Sequence, residues 1–321
     1  MGVLRLSEAG FVNYQKYSNF LAGNDPFSPS VAGYVAGGNE NGTELSTVDK
    51  FAFPDDTRTT LATGLSNGRQ FLTAFSNPSV AGYVAGGQEP GDTVVSTVDK
   101  FAFPSDSRTT LATGLSSARL QAGSFANAEV AGYVAGGFTG STRINTVDKF
   151  AFPSDSRTTL GTGLSSARRY LAGFQNKAVA GYIAGGDTGS RVSTVDKFAF
   201  PSDSRSTTTA LSASRQEAAG FFNRAVAGYV AGGREAAEVS TVDKFAFPSD
   251  SRTTLATGLS STRRLLAAFS DAEAAGYAAG GFDGSSNVST VDKFAFPSDT
   301  RTTLGTGLSE SKSNIAGFQD A

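Results

Sequence analysis

Apolar and polar residues alternate along this chain in short runs that are broken by Gly-Gly, Pro-Ser-Asp or Asn-containing dipeptides. A period of two bounded by such turn residues predicts β-strands rather than helices. From Arg168 onward, four runs follow one another: strand A at about 169–175, strand B at about 178–184, strand C at about 193–200 and strand D at about 204–211. Asn176-Lys177 turns A into B, Gly185-Gly186 ends B, and Pro201-Ser202-Asp203 turns C into D. Side chains alternate across a strand, so in strand C of the first copy Thr47, Asp49, Phe51 and Phe53 share one face, while Val48, Lys50 and Ala52 share the other.

The same four-run pattern recurs through the chain. Thr-Val-Asp-Lys-Phe-Ala-Phe-Pro stands without substitution at 47–54, 97–104, 146–153, 194–201, 241–248 and 290–297. A four-stranded antiparallel unit of about 50 residues cannot cover both of its own faces, so it must stack on copies of itself, and radial stacking with closure is a β-propeller. The count of strands predicts how it closes. Arg69, Arg119, Arg168, Arg215 and Arg263 each stand six residues before a Phe in strand A, and the first copy lacks this pair, whereas Lys312 and Phe318 supply it near the far end. The expectation is an all-β, six-bladed propeller of four-stranded antiparallel blades over 31–321, its first blade completed by the C-terminal strand. Residues 1–30 fall outside the repeat count.

The Gly-Gly that ends strand B, the following strand with its aromatic residue and the Arg ahead of the next strand together resemble the kelch repeat, over about residues 31–321. The resemblance implies the same fold. The chain has no Trp, and Phe53 and its five equivalents stand where the kelch Trp would fill the space between blades. The leader, with Phe11, Tyr14, Tyr17 and Phe20, resembles the short N-terminal stretch of structural proteins of tailed phages, which implies attachment to a particle; an arm packed on the propeller is the alternative.

Composition removes chemistry. The 321 residues include neither His nor Cys, which excludes imidazole bases, thiol nucleophiles and zinc sites of the usual kind, so no cofactor or metal is expected. Galactose oxidase shares the kelch architecture, but its copper radical chemistry needs His and Cys as well as Tyr. The formal net charge is −2 with Lys and Arg dispersed, which speaks against nucleic acid as a partner. No apolar run reaches the length of a membrane span, and the leader has no signal-peptide core. The compartment stays open, with a virion or extracellular surface preferred.

Six carboxylates recur on the Phe side of strand C: Asp49, Asp99, Asp148, Asp196, Asp243 and Asp292. Buried, each needs a donor, and the Arg after each C–D turn is the expected one: Arg58, Arg108, Arg157, Arg205, Arg252 and Arg301. This Asp–Arg pair reads as a structural latch, because acids spaced evenly around a ring do not converge on one bond. The second cation set, Arg69, Arg119, Arg168, Arg215, Arg263 and Lys312, has two readings. It forms a cationic ring at the channel mouth for an anion or acidic sugar, or it bonds carbonyls and Asp side chains between blades.

Antiparallel order sends the B–C and D–A loops to one face of the disc. Here the copies diverge while the C–D turns hardly change, and recognition resides on loops carried by a rigid scaffold. The candidate binding residues are Asn39, Glu40, Gln88, Glu89, Phe138, Thr139, Asp187, Thr188, Arg234, Glu235, Phe282 and Asp283 on the B–C loops, with Arg169 and Arg264 on the D–A segments. The expected function is a non-enzymatic binding or structural module, an outer component of a virion or surface assembly. The alternatives are a lectin-like glycan binder and an intracellular protein-interaction propeller. A protein or glycan on the loop face and a particle at residues 1–30 are the expected partners.

Overall fold

The computed structural model describes residues 32–320, so the expectations for residues 1–30 lie outside the described part. Six four-stranded antiparallel sheets stand around a central axis. Blade two has strand A at Thr73–Asn77, B at Ala81–Ala85, C at Val98–Ala102 and D at Ser107–Thr110, in that order from the axis outward. The six A strands touch one another in a closed cycle around the axis. Strands are shorter than the alternation predicts; strand A of blade four, for example, begins at Ala172.

Blade one is closed by the C-terminal strand. Ala316–Asp320 pairs antiparallel with Ala32–Ala36 in the register Tyr34 to Phe318, which repeats the Phe75 to Tyr83 register of blade two. Velcro closure of this kind leaves no gap between the first and last blades.

Blades pack by inserting a ring into a hole. Phe75 of strand A stacks on Tyr83 of its own blade at 4.9 Å, and its edge lies where a Cβ on Gly132 of blade three would stand, 2.0 Å from Phe75 Cδ2. Only glycine leaves room there. Gly33, Gly82, Gly181, Gly228 and Gly276 receive Phe269, Phe318, Phe125, Phe174 and Phe221 in the same way, which explains why every copy reads Ala-Gly-Tyr. Phe152 of the next blade covers the other side of Tyr83 at 5.5 Å, and the equivalents from Phe53 to Phe296 each stack on the Tyr of the preceding blade. Phe thus fills the space between blades, as the sequence predicts. Among the described residues, no helix is long and apolar enough to cross a membrane.

Candidate functional site

The framework of the site is a pair of clasps repeated six times. In the first, Asp99 is fully buried, and its Oδ2 accepts from Ser66 N at 2.9 Å, Ser66 Oγ at 2.8 Å and Arg69 Nη2 at 2.9 Å, while Oδ1 accepts from Thr110 Oγ1 at 2.6 Å. Arg108, the expected latch partner, lies farther off at 3.6 Å and is partly exposed. The same order holds for Arg58, Arg157, Arg205, Arg252 and Arg301, which stand 3.5–3.7 Å from their Asp. They belong to the latch as outer members.

Its inner members are the other cations. Arg69, Arg119, Arg168, Arg215, Arg263 and Lys312 have no exposed side-chain surface, and each is paired with the strand C Asp of the blade that its segment enters. They are therefore not a ring of cations at the channel mouth, and an anion has no access to them. A desolvated guanidinium is stable only against a counter-charge, which is why these residues sit on the carboxylates. Burial pulls the pKa of Arg69 down, with Asp99 acting against it. Burial alone would raise the Asp99 carboxyl; Arg69 and the Thr110 and Ser66 hydrogen bonds outweigh it and hold the group below its ordinary range. Lys312, Ser309 and Thr60 do the same for Asp49, and this contact closes the ring.

The second clasp joins neighbouring blades on the opposite face. Asp155, in the C–D turn of blade three, accepts from Tyr83 Oη at 2.7 Å and Lys100 Nζ at 2.6 Å of blade two. The other five boundaries repeat it, ending with Tyr277 and Lys293 of blade six on Asp56 of blade one. The near-invariant C–D turn is thus an interblade contact. Its signal was available in the sequence, since every copy carries both a Lys in strand C and an Asp two residues after the Pro.

Onto this frame the variable face is built by short backbone pairing. The residue after each shared cation exchanges two hydrogen bonds with the first residue of the B–C loop: Gln70 with Gln88, Leu120 with Phe138, Arg169 with Asp187, Gln216 with Arg234, Arg264 with Phe282, and Asn39 with Ser313. The predicted loop residues and D–A residues therefore meet. Two clusters gather charge and aromatic surface. Arg169 lies 4.7 Å over the Phe138 ring and donates to Asp187 Oδ2 at 3.0 Å, and Arg143 reaches the same oxygen at 2.8 Å. Arg264 lies 5.1 Å over Phe282, donates to Glu217 Oε2 at 2.7 Å and pairs with Glu238 at 2.9 Å. Other predicted residues serve their own loops: Asp283 Oδ1 accepts from Ser285 and Ser286, Thr188 donates to Ser190 O, Thr139 bonds Thr142, and Asn39 Oδ1 accepts from Gly42. Glu40 and Glu89 lie in two-residue ladders beside Asn39 and Gln88.

One residue further along each D–A segment stands a ring that the sequence reading misses. Phe71, Gln121, Tyr170, Glu217, Leu265 and Asn314 all have left-handed backbone, with φ between 55° and 62°. Each N–H donates to the carbonyl of the equivalent residue in the preceding blade: Gln121 to Phe71, Tyr170 to Gln121, Glu217 to Tyr170, Leu265 to Glu217, Asn314 to Leu265 and Phe71 to Asn314, at 2.8–3.1 Å. Six backbone hydrogen bonds thus run head to tail around the channel axis. Left-handed backbone costs a bulky residue about 1–3 kcal/mol and a glycine almost nothing, yet no copy carries Gly here. Nothing in a Phe or Tyr announces such a backbone, which is why this ring is invisible in the sequence.

No protein-family model and no curated protein matches the chain.

Proposed function

We propose that this propeller is a non-enzymatic binding and structural module that docks its partner on the B–C and D–A face. What carries the reading is the contrast between the two sets of residues. Twelve clasp contacts are built from the same side chains in every blade but for Lys312, which stands for Arg in blade one, while the residues at one bridge position of the loop face differ from copy to copy: Asn39, Gln88, Phe138, Asp187, Arg234 and Phe282. A scaffold that is uniform where it bears load and divergent where it meets solvent has the form of a recognition surface. The strand C acids are consumed by the clasps, which supports a binding role over hydrolysis. The kelch-like repeat and placement in a virion or surface assembly belong to this same reading.

The test is co-sedimentation of the full chain with the particulate fraction of its native source. Replacing Phe138, Thr139, Phe282 and Asp283 by Ser together is expected to abolish association and leave the melting temperature within a few degrees. Association that survives these changes, or that is lost only when the C–D turns are altered, overturns the assignment.

A further inference from the structure

The ring of left-handed residues surrounds a cup of about 70 Å³ at the channel mouth, and its floor is a collar of aliphatic side chains including Leu72, Leu171, Leu266 and Ile315. Around the rim, apolar and polar residues alternate blade by blade: Phe71, Tyr170 and Leu265 between Gln121, Glu217 and Asn314. The Phe71 and Tyr170 rings meet edge to face at 6.2 Å. Gln121 is 8% exposed, and its Oε1 is buried without a donor; Asn314 Oδ1 is in the same state, although Asn314 Nδ2 donates to Gln70. A buried acceptor left unsatisfied costs free energy that a ligand hydroxyl restores. The charges near the cup already have partners: Glu217 accepts from Gln216 and Arg264, and Arg169 is held by Asp187.

Aromatic rings, an aliphatic floor, side-chain amides whose buried acceptors lack a donor and no unpaired charge describe a site for an uncharged molecule with both hydroxyls and a C–H face. We propose that the cup receives one edge of a neutral pyranose, as a free sugar or as the terminal unit of a glycan, with the rest of the ring standing above the rim. The inference rests on the proposed docking face and names the chemistry at its centre. It also accounts for the backbone strain. Six side chains are kept where glycine is the relaxed choice, because those side chains make the contacts.

Saturation-transfer NMR on the full chain tests this with methyl glycosides of glucose, galactose, mannose and N-acetylglucosamine, and with sialic and glucuronic acids as charged controls. At least one neutral glycoside is expected to show transfer to its ring protons, and the acids none. Tyr170→Gly and Phe71→Gly are each expected to weaken binding at least tenfold while leaving the melting temperature equal or higher. Gln121→Leu, which keeps the bulk and removes the acceptor, is expected to weaken it similarly. Absence of transfer from every neutral glycoside, preference for the acids, or glycine variants that melt lower and bind normally would each overturn the proposal. If glycosides fail while particle association still depends on Phe138 and Phe282, the sugar site is wrong and the docking face stands; if glycosides bind and particles do not, the reverse holds.

Discussion

Asp148 shows how little of this protein's stability is negotiable at a single position. It accepts from Ser116 N and Oγ, Arg119 and Thr159, and both it and Arg119 are wholly buried. Asp148→Asn leaves the guanidinium without its counter-charge and is expected to cost about 3–5 kcal/mol, read as a lower urea midpoint; a loss below about 1 kcal/mol would sink the clasp argument. Gly132→Ala tests the ring-in-hole packing, since the new methyl group meets Phe75. Overpacking is expected to cost about 1–3 kcal/mol, and Phe75→Leu in the same chain should return part of it. Additive effects of the two substitutions would show that they do not touch. Arg264, by contrast, is no free loop cation: it pairs with Glu217 and Glu238, so its loss mixes stability with binding and it is a poor probe of either alone.

At the scale of strands and turns, the closing strand Ala316–Asp320 joins the two ends of the ring. Deleting 312–321 removes Lys312 from Asp49, Phe318 from the hole at Gly82 and one of the two strands paired with Ala32–Ala36. Several kcal/mol should go with it, seen as a melting temperature lowered by ten degrees or more; a truncated chain that melts with the full one refutes the closure. Closure was legible because Lys312 and Phe318 repeat a spacing found in five other copies. The strands, the turns and the face on which loops diverge were legible for the same reason: repetition turns a weak local signal into a strong one. Which of two cations lies nearer each Asp was not. The latch reading pairs Asp49 with Arg58, its neighbour around the turn, whereas shorter contacts come from Ser309 and from Lys312, a member of the set that the sequence left between a channel ring and bonds to Asp side chains. Proximity in sequence says nothing about which of two cations a closed ring brings nearer.

The whole molecule should fail at high pH in one step. Tyr34, Tyr83, Tyr133, Tyr182, Tyr229 and Tyr277 have hydroxyls pushed above their ordinary pKa of 10, first by burial and then by the Asp that accepts from each. Because the folded value is the higher, the protonated phenols contribute stability in full below about pH 10. Above it the unfolded chain releases protons that the fold retains, and each tyrosine removes about 1.4 kcal/mol per pH unit. Six acting together predict a steep fall in urea midpoint above pH 10. In a chain carrying Tyr14→Phe, Tyr17→Phe and Tyr170→Phe, so that only these six remain, phenolate absorbance is expected only as the β-sheet signal is lost. Phenolate formation near pH 10 in that chain while it stays folded would refute it.

Closure of blade one also fixes an order of events. Strands B, C and D of that blade leave the ribosome first, and the strand that completes them leaves after five further blades. Until then the inner edge of Ala32–Ala36 has no native partner, Asp49 lacks Ser309 and Lys312, and the hole at Gly82 is unfilled. Joining segments so far apart makes this contact among the slowest to form, although the entropy of closing a longer loop grows only logarithmically with its length. The nascent chain therefore carries an open sheet edge throughout its synthesis. Its yield in cells should depend on chaperone supply more than its finished stability would indicate.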